Sequence, residues 1–229
     1  MDGDGKLDLV AGDTDGNVWF FRNIGTKIEP KLAAGVKLKA DGKDITGAAP
    51  MSGIIDFMPR AQTMPDSGMG IYSKVHVTDW DGDGLLDLLV GQTNERTGGD
   101  EIVFYKNTGT AAAPKFAAPA KLDLFKGQMI LRAAPYVVDW DGDGKRDMLV
   151  GDDEGKLLFL RNTGTNVKPV FAAPEEIKLP GLEGSIRARI AVVDWNNRGK
   201  LDLVVGTYYY GGGADKRSTG GNVWLFSRK

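Results

Sequence analysis

The chain has 229 residues, 41% of them apolar, with 32 glycines, no cysteine, one histidine and a formal net charge of −2. That length allows one sizeable domain or two small ones, and the apolar share suffices for a packed core. The missing cysteine excludes disulfides, thiol nucleophiles and thiolate metal sites. A lone histidine, His76, excludes a multi-histidine centre, and the near-neutral charge offers no basic face for nucleic acid.

In chain order, the first segment is "MDGDGKLDLVAG", an acidic loop running into an apolar strand. "NIGT" follows at Asn23, then Pro30 and "KLAA". Residues 41–73 read as an insertion carrying Met51, Met58, Met64 and Met69 among prolines. It is either a functional loop on one face or a methionine-rich plug against a neighbouring unit. "KVHVTDW" is a strand with His76 lining it. "DWDGDGLLDLLVG" (79–91) repeats the acidic loop and its strand, and "NTGT" at Asn107, Pro114 and "KFAAP" repeat the second signature.

The third copy is the clearest. Strands are expected at 135–139, 148–152, 157–162 and 170–179, with "DWDGDGKRDMLVG" (139–151) between the first two and "NTGT" at Asn162. The fourth copy, "DWNNRGKLDLVVG" (194–206), leads into "TYYYGGG" and ends at "NVWLFSRK". Nothing shows sustained helical periodicity. The longest apolar runs are a few residues, so no membrane insertion is expected.

The repeats define the architecture. Asp2, Asp81, Asp141 and Asn196 occupy one position of the loop and are 79, 60 and 55 residues apart. Four antiparallel strands per repeat is a propeller blade. The expected fold is all-β, a β-propeller of four-stranded antiparallel blades with about four repeats: 1–73, 74–133, 134–188 and 189–229. The first and last repeats are read as three-stranded. The chain is therefore expected to be part of a larger or incomplete propeller, lacking N-terminal repeats, or to close with a second copy of itself through its exposed edges.

In the full loops carboxylates fall at relative positions 1, 3, 5 and 9: Asp79, Asp81, Asp83 and Asp87, then Asp139, Asp141, Asp143 and Asp147. Such density repels itself unless a cation intervenes. Gly84 and Gly144 allow the sharp turn, and the carbonyls of Leu85 and Lys145 are further candidate ligands. All-oxygen ligation suits Ca²⁺ better than Mg²⁺ or Zn²⁺. An EF-hand needs Glu at position 12, where Val90 and Val150 stand, so these loops lead into strands. The first loop offers Asp2, Asp4, the Lys6 carbonyl and Asp8, weakened because position 1 is missing. In the fourth, Arg198 replaces the position 5 aspartate. Its guanidinium pairs with the remaining carboxylates in place of an ion.

"DWDGDGxxDLLVG" followed by "NTGT" and proline resembles the FG-GAP/VCBS repeat class, akin to the repeats of integrin α subunits. The resemblance implies a propeller with Ca²⁺ in the hairpin loops, and a secreted, periplasmic or cell-surface module that binds a protein or glycan without catalysis. The alternatives are an accessory or catalytic part of a carbohydrate-active enzyme, such as a polysaccharide lyase, and a purely structural repeat. Glu175 and Glu176 point apart on a strand, and Asp152, Asp153 and Glu154 are expected to be solvated in a turn. Tyr208, Tyr209 and Tyr210 are candidate ligand contacts. Trp80, Trp140 and Trp195 recur in register and are expected to be structural.

Overall fold

The computed structural model describes residues 1–46, 73–94, 99–125, 130, 132–183, 185–210 and 219–228. Methionines 51, 58, 64 and 69, on which the reading of the insertion rests, lie outside them. The described residues form strands and turns without a helix. The chain divides into two compact units, Met1–Asp123 and Leu124–Lys229.

The first unit holds a sheet of β1 (Leu9–Gly12), β2 (Val18–Phe21) and β3 (Val36–Lys37), and one of β6 (Lys74–Thr78), β7 (Asp87–Asn94), β8 (Gly99–Tyr105) and β9 (Ala120–Leu122). Every neighbouring pair in them is antiparallel. A hairpin of β4 (Lys39–Ala40) and β5 (Lys43–Asp44) lies between them in sequence. Asp41 and Gly42 both have positive φ, 48° and 74°, as the twist of a two-residue hairpin demands. This start of the insertion is ordered: Ala40 bridges Phe116, and Ile45 is 2% exposed in a core with Val18, Leu88, Val90, Val103 and Tyr105.

The second unit holds β10 (Ala134–Val138), β11 (Asp147–Gly151), β12 (Leu157–Leu160) and β13 (Glu175–Glu176), then β14 (Ile186–Val193), β15 (Asp202–Tyr210) and β16 (Thr219–Phe226). These pairs are antiparallel too. The apolar runs of β11 and β12 are buried at every residue, as expected of short continuous apolar strands between turns. Leu149, Leu157, Phe159, Ala188, Leu203 and Val205 form the core between the two sheets.

Among the described residues, the four main sheets contain three, four, four and three strands. The expected fourth strand at 170–179 is shorter. Phe171 bridges Asn162, and only Glu175 and Glu176 pair with β12, both exposed.

Glycine lets adjacent sheets approach in each unit. A Cβ at Gly12 would overlap the Ser73 carbonyl oxygen, and one at Gly151 that of Ala188. The same places carry hydrogen bonds: Ser73 N donates to Asp13 O at 3.1 Å, and Ala188 N to Asp152 O at 2.8 Å.

Candidate metal centres

Each acidic loop begins as a coil whose side chains cap its own backbone. Asp79 accepts the N–H groups of Gly82 and Gly84 at 2.8 and 3.1 Å. Asp139 accepts those of Gly142 and Gly144 at 2.9 and 3.0 Å. Both glycines of each loop have φ between 77° and 86°, a region where a side chain is strained. Asp83 and Asp143 each accept the N–H two residues on, from Leu85 and Lys145, at 2.9 Å.

The position 9 aspartate ties the loop to the end of the third strand. Asp87 accepts Trp80 N at 2.9 Å on one oxygen and Asn107 N at 2.7 Å on the other. Asp147 does the same with Trp140 N at 3.0 Å and Asn162 N at 2.8 Å. In the first loop Asp8 accepts Met1 N at 2.5 Å and Asn23 N at 2.8 Å. Asp202 of the fourth accepts Arg228 N at 3.0 Å.

This geometry gathers carboxylates. One oxygen from each of Asp79, Asp81 and Asp87 lies within 4.8 Å of the others, and the same holds for Asp139, Asp141 and Asp147. Either group could hold a metal ion, and the donors are all oxygen. Asp81 Oδ1 is buried and accepts no hydrogen bond among the described residues, which leaves it suited to a cation. Asp83 and Asp143 stand outside the two groups. Asp2, Asp4 and Asp8 form no such group among the described residues.

Cations from the third strand's exit lie against the position 3 carboxylates. Lys106 pairs with Asp81 and, at 2.7 Å, with Asp83. Arg161 pairs with Asp141, and Arg22 with Asp2 at 2.6 Å. The Lys106 ammonium holds the Asp83 carboxyl below the usual range, and Asp81 and Asp83 push Lys106 up. Burial pushes the Asp87 carboxyl up against its two N–H donors, with the charges of Asp81 and Asp83 adding to it. Burial does the same to Asp147, with Asp141 adding to it.

The fourth loop differs as the sequence suggests. Arg198 Nη2 lies 2.7 Å from Asp202 Oδ1, whose side chain is inaccessible. Trp195 departs from expectation. Trp80 is 7% exposed and packs against Phe104, but Trp195 is 59% exposed. Trp140 lies beneath the Arg228 guanidinium, 4.6 Å from its ring.

The Asn-x-Gly-Thr signature, unassigned from sequence, is a buried turn. Asn23, Asn107 and Asn162 are at most 2% exposed. Each side-chain oxygen accepts two N–H groups, from Gly25 and Lys31, Gly109 and Lys115, or Gly164 and Val170. A Cβ on Gly25, Gly109 or Gly164 would overlap a carbonyl oxygen across the turn. Each threonine hydroxyl accepts an N–H three residues on. The invariant spacing within the chain is the signal for it.

One further expectation, that Asp152 and Asp153 are solvated, needs correction. Asp152 is 1% exposed and accepts Lys156 N at 2.7 Å, and Asp153 is drawn in by arginines; only Glu154 of that turn is exposed. Among the tyrosines, Tyr208 is half-buried with Arg187 5.2 Å from its ring. Tyr209 and Tyr210 pair in β15 opposite Gly220 and Thr219, and their side chains lie outside the described ones. His76 lies in β6 opposite Leu89.

The FG-GAP-like repeat model matches residues 139–205, from the first aspartate of the third loop into β15. The chain therefore carries an FG-GAP-like repeat there. No curated protein matches the chain. A chain of the Photorhabdus luminescens Tc holotoxin pore is similar in structure at 19% identity and a TM-score of 0.42; the alignment covers 87% of this chain and 8% of that one.

Proposed function

We propose that the chain is a calcium-stabilised repeat module of the β-propeller type, its four main sheets acting as blades, that binds a protein or glycan and performs no reaction itself. The observation that carries the proposal is the twofold recurrence of one three-carboxylate group, Asp79/Asp81/Asp87 and Asp139/Asp141/Asp147, in loops of the same geometry. All-oxygen donors on a glycine-rich coil suit Ca²⁺, which accepts irregular, carboxylate-rich coordination. Asp79, Asp81 and Asp87, and their counterparts, would hold the ion, with the Leu85 and Lys145 carbonyls as further candidates. The ion would offset the mutual repulsion of the aspartates and add to folding free energy. The proposed setting is extracellular or periplasmic, on the strength of the family resemblance.

The test is thermal unfolding in EDTA and across a Ca²⁺ titration, with Mg²⁺ as control. A midpoint that climbs with Ca²⁺ and much less with Mg²⁺ is expected, because a ligand that binds the folded state stabilises it by mass action. A midpoint indifferent to Ca²⁺ removes the proposal. A glycan array and a polysaccharide-cleavage panel then separate a glycan-binding module from a protein-binding one and from an enzyme.

A further inference from the structure

An antiparallel sheet with one face in water alternates apolar and polar residues, whereas continuous apolar runs belong to strands covered on both faces. The β14–β16 sheet carries such runs: "IAVV" (190–193), "LVV" (203–205) and "VWLF" (223–226). One of its faces is covered. Leu203, Val205, Trp224 and Phe226 pack in the core with Leu149 and Phe159 of the preceding sheet. The other face is open. Val193, Val223 and Leu225 are 40%, 78% and 42% exposed, Ala191 is exposed, and Val204 is half-buried among them. The register sets these residues side by side, with Ala191 opposite Val204 and Val204 opposite Leu225.

The β1–β3 sheet is open on its opposite face. Val10 and Val18 belong to the core shared with Leu88 and Val90 of the next sheet. Alternation along the strands turns Leu9, Ala11, Trp19 and Phe21 the other way, where Leu9 is 45% exposed and the others are half-buried. This open face repeats the covered face of β14–β16. Leu9 and Ala11 stand one and three residues after Asp8, as Leu203 and Val205 do after Asp202. Leu9 pairs with Phe21 and Ala11 with Trp19, as Leu203 pairs with Phe226 and Val205 with Trp224. Both indole N–H groups are satisfied within their own sheet, Trp19 by Asp13 at 2.7 Å and Trp224 by Thr207 at 3.2 Å. Both rings are thereby fit for burial.

Each unit shows how faces of these two kinds fit together. The residue two after the anchoring aspartate, Val10 or Leu149, packs in one core with the residues one and three after the anchor of the next sheet: Leu88 and Val90, or Leu203 and Val205. Val204 holds that inserting place on the open face of β14–β16, and Leu9 and Ala11 hold the receiving places on the open face of β1–β3. A contact between the two open faces therefore continues a packing already present in each unit. One copy presents both halves of the contact and leaves both exposed, so the matching half comes from another copy.

We propose that the chain associates head to tail, the open face of β14–β16 in one copy packing on the open face of β1–β3 in a second. The contact is made by side chains across sheet faces, not by main-chain pairing at strand edges, and uses no metal ligand. A heterologous contact of this kind closes into a ring or extends, and both raise the mass.

The test is sedimentation velocity of the full chain in calcium, from micromolar to sub-millimolar concentration. The mass should climb above the 24.7 kDa of one copy. Val223→Lys and Leu9→Lys each put a charge on one open face. Each should weaken self-association by more than about ten-fold, because the contact would bury an unpaired charge, with an unchanged circular dichroism spectrum. Mixed together, the two variants keep one intact face each and should form a one-to-one pair and nothing larger. Leu225→Lys and Ala11→Lys replace a variant that does not fold. A parent that stays at the mass of one copy, a variant that associates as the parent does, or a mixture that does not pair overturns the proposal. The readout is mass, so its failure is distinct from failure of the calcium proposal, which is read from the unfolding midpoint.

Discussion

Asp147 accepts the main-chain N–H of Asn162 at 2.8 Å, fifteen residues along the chain. The equivalent bond links Asp8 to Asn23, Asp87 to Asn107 and Asp202 to Arg228. One carboxylate thus joins each acidic loop to the exit of the second strand that follows it. Asp147→Ala leaves the Trp140 and Asn162 N–H groups without this acceptor, at about 1–3 kcal/mol for each donor. Urea unfolding in EDTA should show that loss without any contribution from metal. A cost below about 1 kcal/mol would mean the tie is incidental.

Two glycines of the third repeat should respond differently to alanine. Gly144 has φ 84° and open space for 4 Å around the position a Cβ would take, whereas a Cβ on Gly164 overlaps the Lys168 carbonyl oxygen. Gly144→Ala costs only the left-handed backbone, about 1–2 kcal/mol. Gly164→Ala forces the buried turn apart and should cost more, about 1–3 kcal/mol or above. Equal midpoint shifts would remove the close approach as the reason for glycine in the Asn-x-Gly-Thr signature.

A cation bound at the second loop, as proposed, would compete with Lys106 for Asp81, because the ammonium pairs with Asp81 and with Asp83. Removing the positive charge with Lys106→Met should tighten calcium binding at the second loop several-fold, in line with about 1 kcal/mol for a partly exposed pair. Calorimetric titration of the variant and parent checks this. Unchanged or weaker affinity would show that Lys106 does not oppose the ion.

Burial alone would raise the Asp153 pKa, but hydrogen bonds from Arg189 and Arg132 outweigh it and hold the carboxyl below its ordinary 3.8. Between the lowered folded value and the ordinary one, the unfolded chain binds more protons, so stability rises with pH there. The contribution is complete above the ordinary value and disappears as pH falls through the folded one. Asp153→Asn should therefore lose stability at neutral pH and show a shallower acid limb than the parent. Parallel acid limbs in the two proteins would contradict this account.

Arg198→Asp tests the exchange of ion for guanidinium in the fourth loop. In EDTA the variant should unfold at a lower temperature than the parent, because the inaccessible Asp202 carboxylate loses its guanidinium partner and keeps only the Arg228 N–H. In calcium the deficit should shrink, since removal of the guanidinium frees Asp202 to face an ion together with Asp194. A deficit identical in EDTA and calcium would show that the loop cannot be converted by that residue alone.

The sheets are legible in the sequence because their signals are local. An acidic loop, an apolar run and a Gly-rich turn each lie within a few residues, and the strand counts follow from them. The hairpin at 39–44 has a local signal too, in Asp41–Gly42, but the break in the repeat pattern there reads only as the start of an insertion. The partners of the acidic loops are not legible. Lys106 and Arg161 meet Asp81 and Asp141 only because the third strand's register brings its exit beside the loop. The burial of Asp152 and Asp153 escapes the sequence for the same reason, since the residues that cover them come from β14 and from Arg132, distant in sequence.

The position 9 anchor belongs to the polypeptide, and each sheet carries its own. A duplicated unit built this way keeps its hairpin closed whatever happens at the other loop positions. Those positions are then free to diverge copy by copy, as Asn196 and Arg198 have in the fourth repeat while Asp202 still holds Arg228 N at 3.0 Å. If the loops hold ions as proposed, ion dependence could be gained or lost in single repeats by point substitution, without redesign of the sheet that carries them.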